Sequence, residues 1–190
     1  MFNTPHMTDV ATLRSRAREH IERGAVTSGY QGNSEVVVRL LNDALATELI
    51  CVLRYKHHHF MASGLNSESV ALEFAEHAKE EMLHADALAK RIVQLGGVPD
   101  MTPDTLSQRS HAEYVVGGSL LEMIQENLVA ERIAIDSYRE TIAYLGSNDP
   151  TTRRMLEEIL ATEEEHADEL AGMLGNLAPV ARIRAVGRPV

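Results

Sequence analysis

The sequence predicts an all-α protein: an antiparallel four-helix bundle with an N-terminal extension and a long connection between its second and third helices. Four stretches show helical hydrophobic periodicity and are separated by turn signals. A glutamate interrupts the apolar face of each stretch, and the pattern of the first two stretches recurs in the last two. This recurrence indicates a doubled helical hairpin. With 190 residues, 44% of them hydrophobic, the chain is long enough for one domain with a sizeable core.

Residues 1–33 form the predicted extension, in which a short helix is expected from Thr8 to Glu22. The arginines of this segment are largely offset by acidic residues, which favours docking or subunit contact over DNA binding. The turn-forming run 28–33 then separates the extension from the bundle, and Asn33 or Ser34 is expected to cap the first long helix.

The first long helix is predicted from Ser34 to Met61, with a stop near Gly64. The second begins after the polar pair 66–67 and ends at the glycine pair that starts at Gly96. Only a few residues join the two helices, so they are expected to be antiparallel neighbours.

The segment from Asp100 to about Gly118 carries no long periodic pattern and is too long for a tight turn. A connection of this length lets the third helix start at the far end of the bundle, which predicts a crossover. The third helix is predicted from Ser119 to Leu145.

The fourth helix is expected to open with Asp149 as N-cap and Pro150 in the first helical position, and to close at Gly175. The bundle therefore spans residues 34–175 in this prediction. An extended or disordered tail is expected over residues 176–190, without a fifth amphipathic helix.

Glu81 is the residue that first points to chemistry. It interrupts an apolar helical stripe, and burying an unpaired carboxylate costs several kcal/mol. It must therefore be neutral, paired with a cation or bound to a metal ion. His84 follows one helical turn later, and the fourth helix repeats the same Glu-x-x-His motif with Glu163 and His166.

The other two helices each supply one core glutamate, Glu48 and Glu131. They precede the Glu-x-x-His glutamates by 33 and 32 positions, and each is followed seven residues later by a tyrosine. Di-iron and di-manganese carboxylate bundles have a known ligand arrangement, in which two helices supply one glutamate each and the other two supply one Glu-x-x-His motif each. The candidate metal ligands are Glu48, Glu81, His84, Glu131, Glu163 and His166. Of these, Glu81 and Glu163 are expected to bridge two metal ions.

Charge supports this interpretation, because four glutamates bring a charge of −4 and two divalent ions restore neutrality. Carboxylates with one imidazole per ion and no thiolate favour Fe²⁺ or Mn²⁺ over a structural Zn²⁺ site. Iron is the first choice and manganese the alternative. A single Glu-x-x-His motif is weak evidence. In the structural alternative the glutamates lie at helix edges and pair with arginines, but cationic residues are scarce in these stripes.

Several other residues have two interpretations. Tyr55 and Tyr138 are either core residues whose hydroxyl groups need partners or residues that act beside the metal site. The run His57-His58-His59 cannot all face one way on a helix, and a metal-entry role is the functional alternative. Cys51 is expected to be a small buried hydrophobe, and Glu80 is expected to lie on the solvated face.

Composition limits the class of protein. The formal net charge of −10 does not favour a nucleic-acid surface and suits a protein that gathers cations. A single cysteine excludes an internal disulfide and is consistent with a reducing compartment. There is no membrane-spanning apolar run and no signal-peptide core. We therefore expect a cytoplasmic protein without a membrane partner.

From about Ser34 to Leu174 the chain resembles the ferritin-like superfamily, and within it the bacterioferritins and bacterioferritin-like miniferritins. The resemblance is most specific at residues 41–49, 81–86, 95–99 and 163–166. It implies that the six candidate ligands are ferroxidase ligands and that Tyr55 lies beside the site. It also implies oxidation of Fe²⁺ by O₂ or H₂O₂, with Fe³⁺ stored or detoxified in a hollow homo-oligomeric cage.

The resemblance also places Met82 where bacterioferritins bind haem b between two subunits, although a methionine there could equally be an interface residue. The N-terminal extension, the longer connection and the missing fifth helix depart from ordinary bacterioferritin. They resemble the smaller cages of 12 subunits more than shells of 24.

Two other functions stay open. A di-iron or di-manganese oxidoreductase or peroxidase, rubrerythrin-like or hydroxylase-like, would use the same ligands without storing mineral. It would need an apolar channel to the metal ions. A DNA-compacting structural protein is the other alternative, and only the basic terminal segments favour it.

Overall fold

The computed structural model describes residues 7–64 and 67–177, and every regular element in these two ranges is helical. This confirms the predicted all-α fold class. The α-helices are α1 Val10–Arg16, α2 Ser34–Met61, α3 Ser67–Gln94, α4 Pro103–Arg109, α5 Leu120–Leu145 and α6 Pro150–Leu177, and a 3-10 turn covers Ile21–Arg23.

The four long helices form an antiparallel bundle in which α2 packs on α3 and α5, and α6 packs on α5 and α3. Two hydrogen bonds establish the direction of α5 relative to α2. Tyr55 of α2 donates to Glu131 of α5, and Tyr138 of α5 donates to Glu48 of α2. The two helices therefore run in opposite directions, so α3 and α5 run the same way. The chain between them must cross the length of the bundle, as predicted.

The crossover is held against α2 by side chains that satisfy its backbone groups. Asn42 donates to the carbonyl of Val98 and accepts from the amide of Asp100, at 3.2 and 2.7 Å. Further along α2, Arg54 donates to the carbonyl of Glu113 at 2.8 Å. These contacts attach the crossover to α2 at both ends.

Helix α4 lies within the crossover and was not predicted. It starts at Pro103, in the first turn where proline is tolerated. Its buried Leu106 packs against Ala46 and Ile50 of α2. With 7 residues the helix is too short to show a clear hydrophobic period, so tertiary contact rather than sequence pattern reveals it.

Side-chain caps are present at three of the long helices, and those at Asn33 and Asp149 were predicted. Side-chain oxygens of Asn33, Ser119 and Asp149 accept the amide protons of the residues three positions later. Helix α5 ends at Gly146, whose φ of 51° lies in the left-handed region. Helix α6 continues past Gly175 to Leu177, beyond its predicted end, because one glycine costs a helix only about 1 kcal/mol. Residues 178–190 of the predicted tail lie outside the described residues.

The extension is anchored to one end of the bundle. Helix α1 is shorter than predicted, and His20 takes a left-handed φ of 51° before the 3-10 turn. Val26 is buried in the core, and the Tyr30 hydroxyl donates to Asp149 at 2.8 Å. Arg91 forms a salt bridge with the same carboxylate at 2.9 Å. The segment after α1 is thus joined to α3 and to the start of α6.

Besides the small cluster between α4 and α2, the core contains two larger apolar clusters, one toward each end of the bundle. Leu41, Leu88 and Leu156 belong to the first cluster, and Phe74 and Leu170 belong to the second. The core glutamates lie between these clusters, at mid-height of the four helices. None of the helices in the described ranges is both long enough and apolar enough to cross a membrane.

Candidate metal centre

All six predicted ligands are buried at the centre of the bundle. Their exposed fractions lie between 0% and 8%. Each long helix contributes from its middle: α2 and α5 one glutamate each, and α3 and α6 one Glu-x-x-His motif each. The apolar side chains above and below enclose this polar layer.

The six residues form two groups of four among the described residues, and the ligand atoms of each group lie within 4.8 Å of one another. The first group is Glu48, Glu81, His84 and Glu163, and the second is Glu81, Glu131, Glu163 and His166. Glu81 and Glu163 are common to both groups. They are the two residues for which the sequence predicts a bridging role.

The distances between donor atoms suit a shared ion. Nδ1 of His84 lies 2.9 Å from Oε1 of Glu163 and 3.4 Å from Oε2 of Glu48. Nδ1 of His166 lies 3.7 Å from Oε2 of Glu163 and 3.8 Å from Oε1 of Glu81. Ligands about 2.1 Å from a common ion are separated by about 3 Å or more. An ion could therefore lie between these atoms without rearrangement of the helices.

Unpartnered atoms test whether metal ions fit. Buried polar groups are normally hydrogen-bonded, yet every predicted ligand here has at least one buried atom without a well-directed partner. These atoms are Oε2 of Glu48, Oε1 of Glu81, Nδ1 of His84, Oε2 of Glu131, both carboxylate oxygens of Glu163 and Nδ1 of His166. No lysine or arginine of the described chain forms an ion pair with these glutamates, which argues against the structural alternative. Oxygen and imidazole donors without thiolate fit Fe²⁺ or Mn²⁺.

Hydrogen bonds from outside the cluster orient the ligands. Tyr138 donates to Oε1 of Glu48 and Tyr55 donates to Oε1 of Glu131, so the other oxygen of each carboxylate is left for the centre. Nε2 of His166 lies 2.7 Å from Oε2 of Glu80. An Nε2–H donated to this carboxylate leaves the lone pair on Nδ1, which faces the site. The side chain of Glu80 is 39% exposed, in keeping with the solvated position expected from the sequence, and it also contacts His166.

Two further buried residues beside the site were missed. The ring of His77 stacks on His166, with centroids 3.9 Å apart, and its Nδ1 lies 3.2 Å from the Tyr55 hydroxyl. Arg54 is 1% exposed and donates to Asn127 at 2.9 Å. A sequence signal existed for His77, because it interrupts the apolar stripe one turn before Glu81.

Without metal ions, some of the six buried ligands remain protonated. Burial, followed by the charge of Glu163, raises the pKa of Glu81 well above its ordinary value, and burial likewise raises the pKa of Glu131. Burial lowers the pKa of His84, but close contacts with Glu163 and Glu48 outweigh it and raise the value to about 10. Burial also opposes ionisation of Glu163, yet both histidines hold its pKa below the ordinary value. Metal ions must displace some of these protons to bind.

Other residues noted in the sequence lie away from these two groups. In the run His57-His58-His59, the ring of His58 is buried and hydrogen-bonded to Asn127 and to crossover carbonyls. No member of the run belongs to a metal-binding group in the part of the chain that the structure describes. Cys51 is buried, as predicted, and Met82 is 39% exposed on α3.

Comparison with known proteins agrees with the fold. Residues 38–180 match the family described as the ferritin-like domain. The chain is 33% identical to the bacterioferritin of Mycobacterium avium over 149 residues, covering 76% of this chain and 86% of that protein. It is 32% identical to the bacterioferritin of Brucella melitensis over 155 residues, covering 81% and 91%.

Two solved structures have the same fold. One is a dodecameric thioferritin, the bacterioferritin-related protein of Bacteroides fragilis, with a TM-score of 0.75, 31% identity and coverage of 78% of this chain and 89% of that chain. The other is Dps of Thermosynechococcus elongatus, with a TM-score of 0.71, 22% identity and coverage of 74% and 90%. The chain therefore belongs to the ferritin-like family and is related within it to the bacterioferritins.

Proposed function

We propose that this protein is a ferroxidase that binds two Fe²⁺ ions at the six buried ligands, oxidises them with O₂ or H₂O₂ and stores or detoxifies the iron in a hollow homo-oligomeric cage. The observation that carries this proposal is the convergence of unpartnered carboxylate and imidazole atoms on two adjacent positions that share Glu81 and Glu163. Family membership supports iron as the metal.

The geometry suits a reaction in which iron is the substrate. Two adjacent Fe²⁺ ions can each give one electron, and one H₂O₂ takes up both electrons with two protons to form two water molecules. Four carboxylates around the pair favour Fe³⁺ over Fe²⁺, because their attraction grows with the charge of the ion. The bridging carboxylates Glu81 and Glu163 hold both ions close enough for one oxidant to reach them.

A cage of twelve subunits is the assembly we favour. One chain cannot enclose a mineral, and the bacterioferritin-related protein of Bacteroides fragilis, similar over most of its length, is dodecameric. Large exposed apolar side chains on α3, among them Leu72, Leu83 and Val93, supply surface for subunit contact. Gel filtration with light scattering tests this state. The expected mass is about twelve times the 21.0 kDa of one chain, and a monomer or dimer would contradict storage.

Met82 belongs to the same question of subunit contact. Its exposed position on α3 suits an interface, and the proposal requires neither haem b nor manganese. An absorbance spectrum and metal analysis of the purified protein test both points, with iron and no haem as the expected result.

Replacement of Glu81 by alanine tests the ligand assignment. The variant is expected to lose fast Fe²⁺ oxidation, because both metal positions use this carboxylate, while circular dichroism remains helical. Glu126→Ala is the matched control, because Glu126 belongs to neither group of ligands. Oxidation kinetics of Glu81→Ala equal to those of the wild type would overturn the assignment.

A further inference from the structure

We propose that Glu73, His77 and Glu169 form a third metal site that binds a divalent cation beside the dinuclear centre. Glu73 and His77 lie on α3 and Glu169 on α6, and one ligand atom from each lies within 4.8 Å of the other two. None of these residues is among the six proposed ferroxidase ligands. The site would give each chain three metal positions instead of two.

The imidazole of His77 is the inner ligand of this site. The residue is 1% exposed, and its Nε2 lies 2.9 Å from Oε2 of Glu169 and 3.6 Å from Oε1 of Glu73. The two carboxylate side chains are 43% and 36% exposed. A cation could therefore reach the carboxylates from solvent and be held against a buried nitrogen.

The hydrogen bond on the other side of the ring selects the tautomer that can bind metal. Tyr55 donates its proton to Glu131, so its oxygen accepts from Nδ1–H of His77 across 3.2 Å. The lone pair of His77 then lies on Nε2 and faces the carboxyl groups of Glu73 and Glu169, which carry only lone pairs when both are ionised. A cation between the three atoms removes this mismatch, and the contact with Tyr55 is the outer hydrogen bond that metal-binding histidines usually have.

The internal repeat of the chain shows that Glu73, His77 and Glu169, here called the trio, have no equivalent donor residues in the other hairpin. The two Glu-x-x-His motifs are separated by a fixed number of positions in the chain. Shifting each residue of the trio by the same number of positions gives its counterpart in the other hairpin. In the order Glu73, His77, Glu169, these counterparts are Met155, Ile159 and Ala87. All three counterparts line a cavity of about 330 Å³ beside His84. The repeat preserves three ligands in each half, whereas donor residues at the positions of Glu73, His77 and Glu169 exist only beside His166.

The position of the trio makes an ion there a neighbour of the dinuclear centre. The His77 ring stacks on that of His166, with centroids 3.9 Å apart and an angle of 18° between the planes. An ion on the far side of His77 would therefore be separated from the second metal position by one layer of side chains.

Anomalous diffraction from crystals of the assembled protein, freed of metal and soaked in Co²⁺, tests the proposal. The wild type is expected to show a peak at the trio in addition to the two peaks at the dinuclear centre. The double variant Glu73→Gln, Glu169→Gln is expected to lose only the peak at the trio. The matched control is Glu76→Gln on the same helix, whose exposed carboxylate pairs with Lys79 at 2.6 Å, and it is expected to keep all three peaks.

Calorimetric titration with Co²⁺ in solution gives the second readout, with three equivalents per chain in the wild type and two in the double variant. No peak at the trio in the wild type, or a peak that survives in the double variant, would overturn the proposal. Failure of the proposed ferroxidase centre is a separate outcome, because peaks would then be missing at the six ligands whatever the occupancy of the trio.

Discussion

Glu81→Gln is expected to remove most of the stabilisation that metal ions give this protein while leaving the metal-free protein nearly unchanged. Burial and the neighbouring charge of Glu163 raise the pKa of Glu81 well above its ordinary value, so the metal-free side chain is a neutral acid. Glutamine has nearly the same shape and is also neutral. The free energy of unfolding without metal should therefore change by less than about 1 kcal/mol.

The loss in the presence of metal follows from the place of Glu81 in both ligand groups. An ion at about 100 times its dissociation constant stabilises the folded state by about 2.7 kcal/mol, so two ions add about 5 kcal/mol. For a chain of this length each kcal/mol shifts the melting temperature by about 2–4 °C. The two ions of the dinuclear centre should therefore add about 10–20 °C to the melting temperature of the wild type. In the variant, which lacks the shared carboxylate at both positions, this contribution should fall below about 5 °C. A Co²⁺ ion held by Glu73, His77 and Glu169 should add the same increment to both proteins.

Thermal unfolding followed by circular dichroism measures both quantities in chelator-treated protein, with and without Co²⁺. Glu126→Gln is the control and should show the full increase. An equal increase in wild type and Glu81→Gln would refute the assignment of Glu81 as a shared ligand. A large loss of stability in metal-free Glu81→Gln would refute the conclusion that this carboxyl is protonated.

Three further predictions follow from the structure. The pKa of His84 is raised to about 10, so protonated His84 stabilises the fold fully below its ordinary pKa of about 6.5, and this stabilisation is lost as pH rises toward 10. In urea titrations, the free energy of unfolding of the metal-free protein should therefore fall over this pH interval. The pH dependence should disappear when metal is bound. Tyr55→Phe should weaken Co²⁺ binding by about 10–100-fold in calorimetry, because the hydroxyl orients Glu131. Asp149→Ala should lower the free energy of unfolding by about 3–5 kcal/mol in urea titrations, because it leaves Arg91 buried without its partner, with Co²⁺ stoichiometry unchanged.

The six candidate ligands are recognisable in the sequence because polar residues interrupt apolar helical stripes and because the arrangement occurs twice in the chain. A charged residue such as Glu81 within an apolar stripe is conspicuous, and the repeat of the motif at Glu163 makes coincidence a poor explanation. Glu80 produced no such signal, because a glutamate beside the stripe looks like any solvated residue. Only the approach of α6, which carries His166, gives its carboxylate a partner.

Arg54 in the core and Asp149 at the end of the bundle also make contacts that the sequence pattern does not reveal. Arg54 carried no sequence-based prediction. In the structure the crossover covers it and accepts its hydrogen bond through the carbonyl of Glu113. Asp149 was predicted as a cap, but its salt bridge with Arg91 and its hydrogen bond from Tyr30 join three segments that are distant in the chain. Such contacts depend on how the elements pack, which local periodicity does not encode.

The sequence by itself determined the four long helices, the caps at Asn33 and Asp149, the doubled hairpin and the residue types of the candidate centre, because helical periodicity and capping act within a few residues. Only the tertiary structure decided which atoms face one another. It brought Glu73 and His77 on α3 next to Glu169 on α6, oriented the imidazoles through Tyr55 and Glu80, and made one half of the centre differ from the other. The physical reason is that metal binding depends on distances of a few ångströms between residues far apart in the chain, and helix packing alone sets those distances.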